Sequence, residues 1–193
     1  MAKISSYTTA SAPSLSDMLI GTDVANNNET KNFTLSEVLD LFQQSAVKSY
    51  GSYYDVTDQV ASSVNSATAM KFGITEYAYD IPINSGTQIT FTNGGVYNIQ
   101  FSAQFHDTGG GSGTVDIWLA KNGVTVGNTN TKMVLSSNSY HVAAWNFFVN
   151  ADAGDYYEIM WATSDLDVII QYDPFTGPAP ATPSVILTVN KID

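Results

Sequence analysis

One alternating stretch constrains the fold of this chain more than any other. Between residues 96 and 105, apolar side chains occupy every second position and polar ones lie between them. The apolar members are Tyr97, Ile99, Phe101, Ala103 and Phe105. This period of two predicts a β-strand with one dry face and one solvated face. The glycine pair at 94–95 predicts a tight turn that fixes the register of the strand. Either a second sheet or a second copy of the chain must cover the aromatic face.

The composition excludes several classes of function. All seven basic residues are lysine, eighteen residues are acidic, and the net charge is −11. Without an arginine fork for phosphate or bases, nucleic-acid binding is not expected. The absence of cysteine removes disulfides, thiolate zinc sites and cysteine nucleophiles. We expect neither a signal peptide nor a membrane span, since no basic start leads into an apolar stretch and no apolar run reaches eighteen residues.

Composition divides the chain near residue 50. Residues 51–193 hold all three tryptophans and thirteen of the eighteen acidic residues. We expect residues 1–50 to form an N-terminal segment, residues 51–71, rich in serine and asparagine, to form a linker, and residues 72–193 to form a compact domain.

The N-terminal segment carries the clearest helix signal. Thr34 and Glu37 have the spacing of a capping box, and apolar residues follow at helical spacing, so we predict a helix from about 35 to 47. Residues 18–23 predict a short strand, and residues 26–31 a polar loop. A segment this small cannot bury much of a core. It is therefore either an extension of the main domain or an anchor that folds onto another protein.

After residue 71, strand signals recur without a helical interruption. Ten strands are predicted, at 72–79, 87–91, 96–105, 114–121, 124–126, 133–135, 140–150, 156–163, 167–172 and 184–191. Asn-Gly and Gly-Asn pairs punctuate the series. The predicted fold is mainly β, an antiparallel sandwich or jelly roll of about 8–10 strands.

Candidate catalytic and metal-binding residues are few. Nothing in the spacing of His106 and His141 forces them to converge on a carboxylate, and we read both as structural. No cofactor is expected. Calcium stays open, because Asp165, Asp167, Asp173 and the acidic run 152–155 place carboxylates on predicted loops that could converge within one chain or around an axis of three chains. A carboxylate pair for glycoside cleavage is equally permitted, but the separation of the pair is a structural quantity.

The proline-rich stretch 172–183 lies between two predicted strands and includes the aromatic Phe175. Phe175 could cap its own domain, or the loop could present a contact surface for a protein or a sugar. On the second reading, the candidate receptor contacts are Asp165, Asp167, Tyr172, Asp173 and Phe175.

The order of segments resembles the jelly roll shared by the complement globular head and tumour necrosis factor families. The resemblance rests on residues 95–102, 116–123, 154–159 and 184–189, and it spans about residues 70–192. The loops here are longer and proline-rich, and there is no Gly-X-Y stalk. Complement or cytokine function is therefore not implied.

The N-terminal residues are similar to leading segments of tailed-bacteriophage structural proteins. The matching residues are Ile20–Asp23, Asn26–Asn28 and Lys31–Val38. The resemblance implies a virion anchor in front of a displayed fibre or knob. The expected anchor residues are Ile20, Phe33, Leu35, Val38, Leu41 and Phe42.

Both resemblances imply a homotrimer, with Tyr97, Phe101, Phe105, Tyr156 and Trp161 expected at its interface. The implied function is a non-enzymatic fibre or knob on the head or tail of a phage particle, assembled in the host cytoplasm. Its expected partners are capsid, portal or tail proteins and a host-surface glycan or protein. A capsid decoration or joining protein with a mechanical role is the alternative, and a glycan-cleaving enzyme is a third hypothesis.

Overall fold

The computed structural model describes residues 12–45 and 48–192. The chain divides into two compact units, Met1–Val47 and Lys48–Asp193. In the N-terminal unit, strands β1 (Met18–Asp23) and β2 (Glu29–Thr34) form an antiparallel hairpin, and helix α1 (Leu35–Ser45) follows directly. Residues 29–31, expected in a polar loop, instead belong to β2, because the turn closes earlier through Asn27 and Asn28 in the left-handed conformation.

The predicted capping box is present at the start of α1. The amide of Glu37 donates to the Thr34 hydroxyl at 3.1 Å, and the amide of Thr34 donates to the Glu37 carboxylate at 2.7 Å. The bond from the Thr34 amide, followed by a bond from the Thr34 hydroxyl to the same carboxylate at 3.0 Å, lowers the pKa of Glu37. The helix was predicted to reach residue 47, and its described part ends at Ser45. Residues 46–47 lie outside the described residues.

The second unit is a sandwich of two antiparallel sheets. Its strands are β3 (Tyr50–Asp55), β4 (Thr68–Ala69), β5 (Ile74–Tyr79), β6 (Ile83–Asn84), β7 (Gln88–Thr90), β8 (Gly95–Asp107), β9 (Ser112–Lys121), β10 (Val124–Thr125), β11 (Thr131–Ser136), β12 (Tyr140–Ala151), β13 (Tyr156–Thr163), β14 (Val168–Ile170) and β15 (Val185–Lys191). One sheet has the order β12-β8-β15-β3-β5, with β14 also paired to β8. The other has the order β10-β9-β13-β7-β6, with β11 paired to β9 and β4 to β13.

The core lies between the two sheets. Strand β8 turns its apolar side chains inward, as the alternation predicts, and all five of its predicted apolar members are buried. They meet inward residues of the opposite sheet, for example where the rings of Phe105 and Trp161 pack edge to face with centroids 5.6 Å apart. The fold is mainly β, an antiparallel jelly-roll sandwich, and strands occur at all ten predicted positions.

The expectation of a linker at 51–71 is wrong. Strand β3 lies inside its sheet, between β15 and β5, and Tyr53 is fully buried. The Tyr53 hydroxyl donates a hydrogen bond to the Ile81 carbonyl, and burial raises the pKa of this phenol to about 12. Gly51 lies beneath the ring of Tyr53, where a Cβ atom would collide with it. The strand was missed because its inward positions hold glycine, tyrosine and aspartate rather than a run of aliphatic residues.

The rest of the expected linker is also fixed to the sandwich. The buried side chain of Gln59 accepts a hydrogen bond from the amide of Lys71 at 2.8 Å and donates one to the Lys71 carbonyl at 3.0 Å. The carboxylate of Asp55 accepts bonds from the amides of Thr57 and Gly73 at 2.8 and 2.9 Å. Residues 56–73 are therefore a structured excursion of the sandwich.

Candidate functional site

Most residues expected at a trimer interface form the core of a single chain. Tyr97, Phe105 and Trp161 are fully buried and Phe101 is 2% exposed, while Tyr156 is half-buried. Phe101 packs against Trp145 with ring centroids 4.8 Å apart. The physical reason is that the aromatic face of β8 is covered by the second sheet of the same chain. These four residues are therefore unavailable to a partner without unfolding.

The opposite face of the same sheet points away from the core and is almost free of charge. The outward side chains of β8, β12, β15 and β3 include no lysine, aspartate or glutamate. The charged Glu76 on β5 accepts a hydrogen bond from the Ser52 hydroxyl at 2.9 Å. On a chain of net charge −11, such a face lacks the mutual repulsion that would keep copies apart. We call it the uncharged sheet face.

Apolar and aromatic side chains border the uncharged sheet face on both sides. On β12, Val142 is 59% and Phe148 is 65% exposed. On β5, Tyr77 and Tyr79 are exposed and pack against Tyr50 of β3, with ring centroids 6.2 Å away in both cases. These residues escaped prediction because the apolar half of the β8 alternation points to the core and carries no information about the opposite face. The polar half of β8, read together with the uncharged run of β12, was the signal that could have found them.

Strand β12 also ends its sheet. It pairs with β8 along its length, and no other strand among residues 12–45 and 48–192 pairs with it. Its twelve residues contain no proline, lysine or acidic residue, which are the usual means of protecting an edge strand. Its free edge thus offers backbone hydrogen-bonding groups next to exposed apolar side chains.

The expected anchor residues lie on the surface of the N-terminal unit. Ile20 is 78% exposed, Leu41 and Phe42 are exposed by about two thirds, and Phe33, Leu35 and Val38 are half-buried. Leu15, Met18, Leu19, Val24 and Leu39 add further exposed apolar side chains. None of residues 12–42 is buried. An apolar surface without buried side chains, as residues 12–42 have, is the pattern expected of a segment that is stabilised by a partner.

Within the described part of the chain, no helix combines the length and the apolar character needed to cross a membrane.

Asp165 and Asp167 lie on a loop that is held by hydrogen bonds between the two residues and to Thr108. The Asp165 carboxylate accepts a hydrogen bond from the amide of Asp167 at 3.0 Å, and the Asp167 carbonyl accepts bonds from the amide and hydroxyl of Thr108 at 2.9 and 2.8 Å. Asp165 is half-buried and Asp167 is exposed. Across residues 12–45 and 48–192, no group of three histidine, aspartate or glutamate side chains is placed to hold a metal ion.

The proline-rich loop is closed at its base. Asp173 and Thr182 exchange backbone hydrogen bonds at 3.0 and 2.8 Å, and the amide of Tyr172 donates to Asp58 at 2.8 Å. Phe175 is 68% exposed, and its ring lies beside Gly177. Phe175 is therefore displayed rather than folded onto the core. Strand β14 lies in the chain between Asp167 and the proline-rich loop. The five candidate receptor contacts therefore belong to two loops rather than to one.

The two histidines occupy structural positions. His106 is 8% exposed, its ring stacks on Tyr140 with centroids 3.9 Å apart, and its Nδ1 atom is hydrogen-bonded to the Gln171 side-chain oxygen. His141 is exposed and lies opposite Phe105 in the register of β12 on β8. The two rings join no nucleophile or carboxylate in a described hydrogen bond.

Comparisons with known proteins give likenesses of fold alone. No protein-family model and no curated protein matches the sequence. A crystal structure of murine APRIL aligns with 76% of this chain and 100% of its own, at 13% identity and a TM-score of 0.49. The globular domain of zebrafish complement 1qA protein aligns with 76% of this chain and 98% of its own, at 15% identity and a TM-score of 0.48. The fold class stated above follows from the strand order and register of this chain itself.

Proposed function

We propose that this protein is a non-enzymatic homotrimer that is displayed on a bacteriophage virion as a fibre or knob. Residues 1–47 anchor it to capsid, portal or tail proteins, and the sandwich of residues 48–193 is exposed and contacts the host surface. The observation that carries the proposal is the uncharged sheet face with its unprotected β12 edge.

We infer a trimer because the uncharged sheet face and the β12 edge must be covered. A long, flat, apolar edge strand in an acidic protein is an aggregation hazard unless something covers it. A closed ring of three copies covers the edge of each subunit with the face of the next, and it leaves no copy with a free edge. The aromatic residues of β5, at the other end of the face, supply the apolar contact that such a ring requires.

The virion assignment rests on the N-terminal unit. Its resemblance to leading segments of phage structural proteins, together with an apolar surface that lacks a core of its own, supports an anchor that docks on another protein. The sandwich supports display rather than catalysis, because His106 is packed against Tyr140, no described hydrogen bond joins the exposed His141 to a nucleophile or carboxylate, and the loop carboxylates lie on separate turns.

Analytical ultracentrifugation of the purified chain tests the trimer. We expect the mass of three chains at micromolar concentration. Phe148→Glu should shift the chain to monomers, because three added carboxylates would be buried near one another. Val134→Glu is the matched control, since Val134 is equally exposed but lies on β11 of the other sheet, and this variant should stay trimeric. A wild-type chain that sediments as a monomer would overturn the trimer.

Deletion of residues 1–47 tests the anchor. We expect a folded, trimeric sandwich that no longer joins particles. Particles assembled without the protein should then adsorb poorly to host cells. Normal adsorption by such particles would favour a mechanical role instead, and incorporation of the truncated chain would overturn the anchor.

A further inference from the structure

A pocket lies on the outward face of the second sheet of the sandwich. It has a volume of about 390 Å³ and is bounded by β9, β13, the turn near residue 65 and the loop that follows β10. This volume falls at the lower end of the range of about 300–1,000 Å³ that small-molecule sites occupy. The side chains that matter chemically are those of Asn65, Asp116, Trp118, Thr125, Asn128 and Asn130.

Trp118 is the apolar part of this pocket. Its neighbours in β9, Ile117 and Leu119, point into the core and are buried, so the indole of Trp118 points outward. The other two tryptophans pack against aromatic rings of the core, whereas Trp118 contacts no aromatic ring in the described part of the chain. Its ring is half-buried, and the small residues Gly127 and Ala162 beside it leave space over the sheet.

The polar groups around Trp118 are held in place. One oxygen of the Asp116 carboxylate accepts a hydrogen bond from the Asn130 amide at 2.8 Å, and the other lies 3.4 Å from the Lys132 ammonium. The Thr129 hydroxyl accepts a bond from the amide of Leu119 at 3.0 Å and donates one to the Val126 carbonyl at 2.8 Å. The loop is thus tied to β9, which reduces the entropy lost when a ligand binds.

Two further amide side chains flank the opening. Asn65 and Asn128 both adopt the left-handed conformation, with φ of 55° and 63°, and both line the pocket. An amide side chain can donate and accept hydrogen bonds at once, and a carboxylate can accept several. The pocket therefore combines one aromatic platform with a rim that both donates to and accepts from hydroxyl groups.

We propose that this pocket binds one residue of a neutral glycan. The apolar face of the sugar ring would lie on Trp118, and its hydroxyl groups would bond to Asp116 and to the amides of Asn65, Asn128 and Asn130. An acidic sugar or a phosphate is disfavoured, because the Asp116 carboxylate lies in the pocket, the nearby Lys132 is already paired with it, and the chain carries a net charge of −11. The inference names the ligand class of the displayed sandwich. It rests on the proposed function only for the avidity that three copies would add.

Indole NMR of the full-length protein is the direct test. With ¹⁵N-labelled tryptophan, the three indole N–H signals are followed during titration with the methyl glycosides of glucose, galactose, mannose and N-acetylglucosamine. We expect at least one of them to shift the Trp118 signal saturably, with a Kd on the order of millimolar for so small a site, and to leave those of Trp145 and Trp161 in place. Glucuronic acid should give a weaker response or none. Absence of any saturable shift with all four sugars would overturn the proposal.

Variants separate the pocket from other surfaces. Trp118→Ala lacks the indole signal, so sugar binding to this variant is followed through the backbone amides of Val126 and Ala162, which line the pocket. We expect its affinity for the sugar to fall at least tenfold. Trp118→Phe should retain part of the affinity and shows that loss is not caused by misfolding. Phe175→Ala is the control for the proline-rich loop and should bind as the wild type does. Sugar binding that survives Trp118→Ala, or that is lost in Phe175→Ala, would move the site elsewhere.

The same titration on Phe148→Glu distinguishes the two proposals. Sugar shifts that persist in a monomeric variant would leave the pocket standing apart from the trimer. Intact trimers that give no shift would leave the trimer standing and remove the pocket.

Discussion

The N-terminal unit contains a hairpin and a capped helix although none of residues 12–42 is buried, whereas the sandwich encloses an aromatic and aliphatic core between two sheets. Local signals are enough to specify the shape of the first unit, since a capping box and an asparagine turn act over a few residues. They are not enough to stabilise it, because burial of apolar surface is the main favourable term in folding. The comparison therefore separates a unit with an enclosed core from one whose residues 12–42 are all at least partly exposed.

A charge in the core should produce the largest difference between the two units. Phe101 lies against Trp145 and Phe147, and truncation of such a residue costs about 3–5 kcal/mol before any cost of burying a charge. We expect Phe101→Asp to unfold the sandwich, with loss of the near-ultraviolet circular dichroism signal. In the N-terminal unit, Leu41→Asp should leave that signal and the melting temperature of the sandwich unchanged.

The same variant also tests whether Phe101 of β8 lies at an interface between chains. A Phe101→Asp chain that stays folded but no longer associates would mean that Phe101 faces a partner rather than the core. Phe101→Leu, which keeps an apolar side chain, should remain folded on either reading.

Loss of the helix cap should have a moderate effect that stays within the N-terminal unit. Thr34→Ala removes the hydroxyl that accepts the Glu37 amide and should cost the helix about 1 kcal/mol. Because no core compensates for it, amide hydrogen exchange in α1 should accelerate severalfold while exchange in the sandwich stays constant. Ser36→Ala, which changes a serine two residues after the cap, is the control. Equal exchange in Thr34→Ala and wild type would show that α1 is held by something other than its cap.

The smallest predicted effect is a dependence of stability on acid pH, and each unit has its own ion pair to test it. In the sandwich, the Lys121 ammonium lies 2.6 Å from Asp155. The hydrogen bond from Lys121, followed by that from Asn122, lowers the pKa of Asp155 from 3.8 to about 2. A folded-state pKa below the unfolded value stabilises the protein above that unfolded value, and this contribution is lost as the pH falls through the folded-state pKa.

Thermal melting from pH 6 to pH 2 measures this dependence. The wild type should melt above Asp155→Asn at pH 6, and the gap should close between about pH 4 and pH 2. In the N-terminal unit, a hydrogen bond from Lys31 lowers the pKa of Asp23 in the same direction. Asp23→Asn should therefore change amide exchange in the hairpin and leave the melting of the sandwich alone. A gap that persists unchanged at pH 2 would exclude the Lys121–Asp155 pair as its source.

The sequence predicted what depends on local pattern. The alternation in β8 and the capping box at Thr34 each follow from neighbouring residues, and the structure has them where they were expected. Strand β3 escaped prediction because glycine is unusual in a strand. Gly51 leaves space for the ring of Tyr53, and the local sequence pattern gives no sign of this packing.

The functional surfaces were harder to predict than the fold. Alternation shows that Phe101 and Phe105 face something dry, but it does not say whether that is a second sheet or a second chain. Trp118 lies between the buried residues Ile117 and Leu119 in β9. A tryptophan at a solvent-facing position of a strand was therefore a signal of a binding surface that the sequence already contained. The loop that completes its pocket comes from residues 125–130, and only the folded chain brings the two together.

The position of β15 in its sheet has a consequence for synthesis. It lies between β8 and β3, and its partners in β3 come 130 to 140 positions earlier in the chain, while those in β8 come 82 to 94 positions earlier. While the chain is still on the ribosome, β3 and β8 therefore each keep one edge unpaired until residues 185–191 emerge. Such non-local pairing folds slowly, and exposed strand edges at this stage attract chaperones and promote aggregation. Translation products that stop before residue 185 cannot close the sheet, so they are expected to be removed by proteases rather than to accumulate as folded protein.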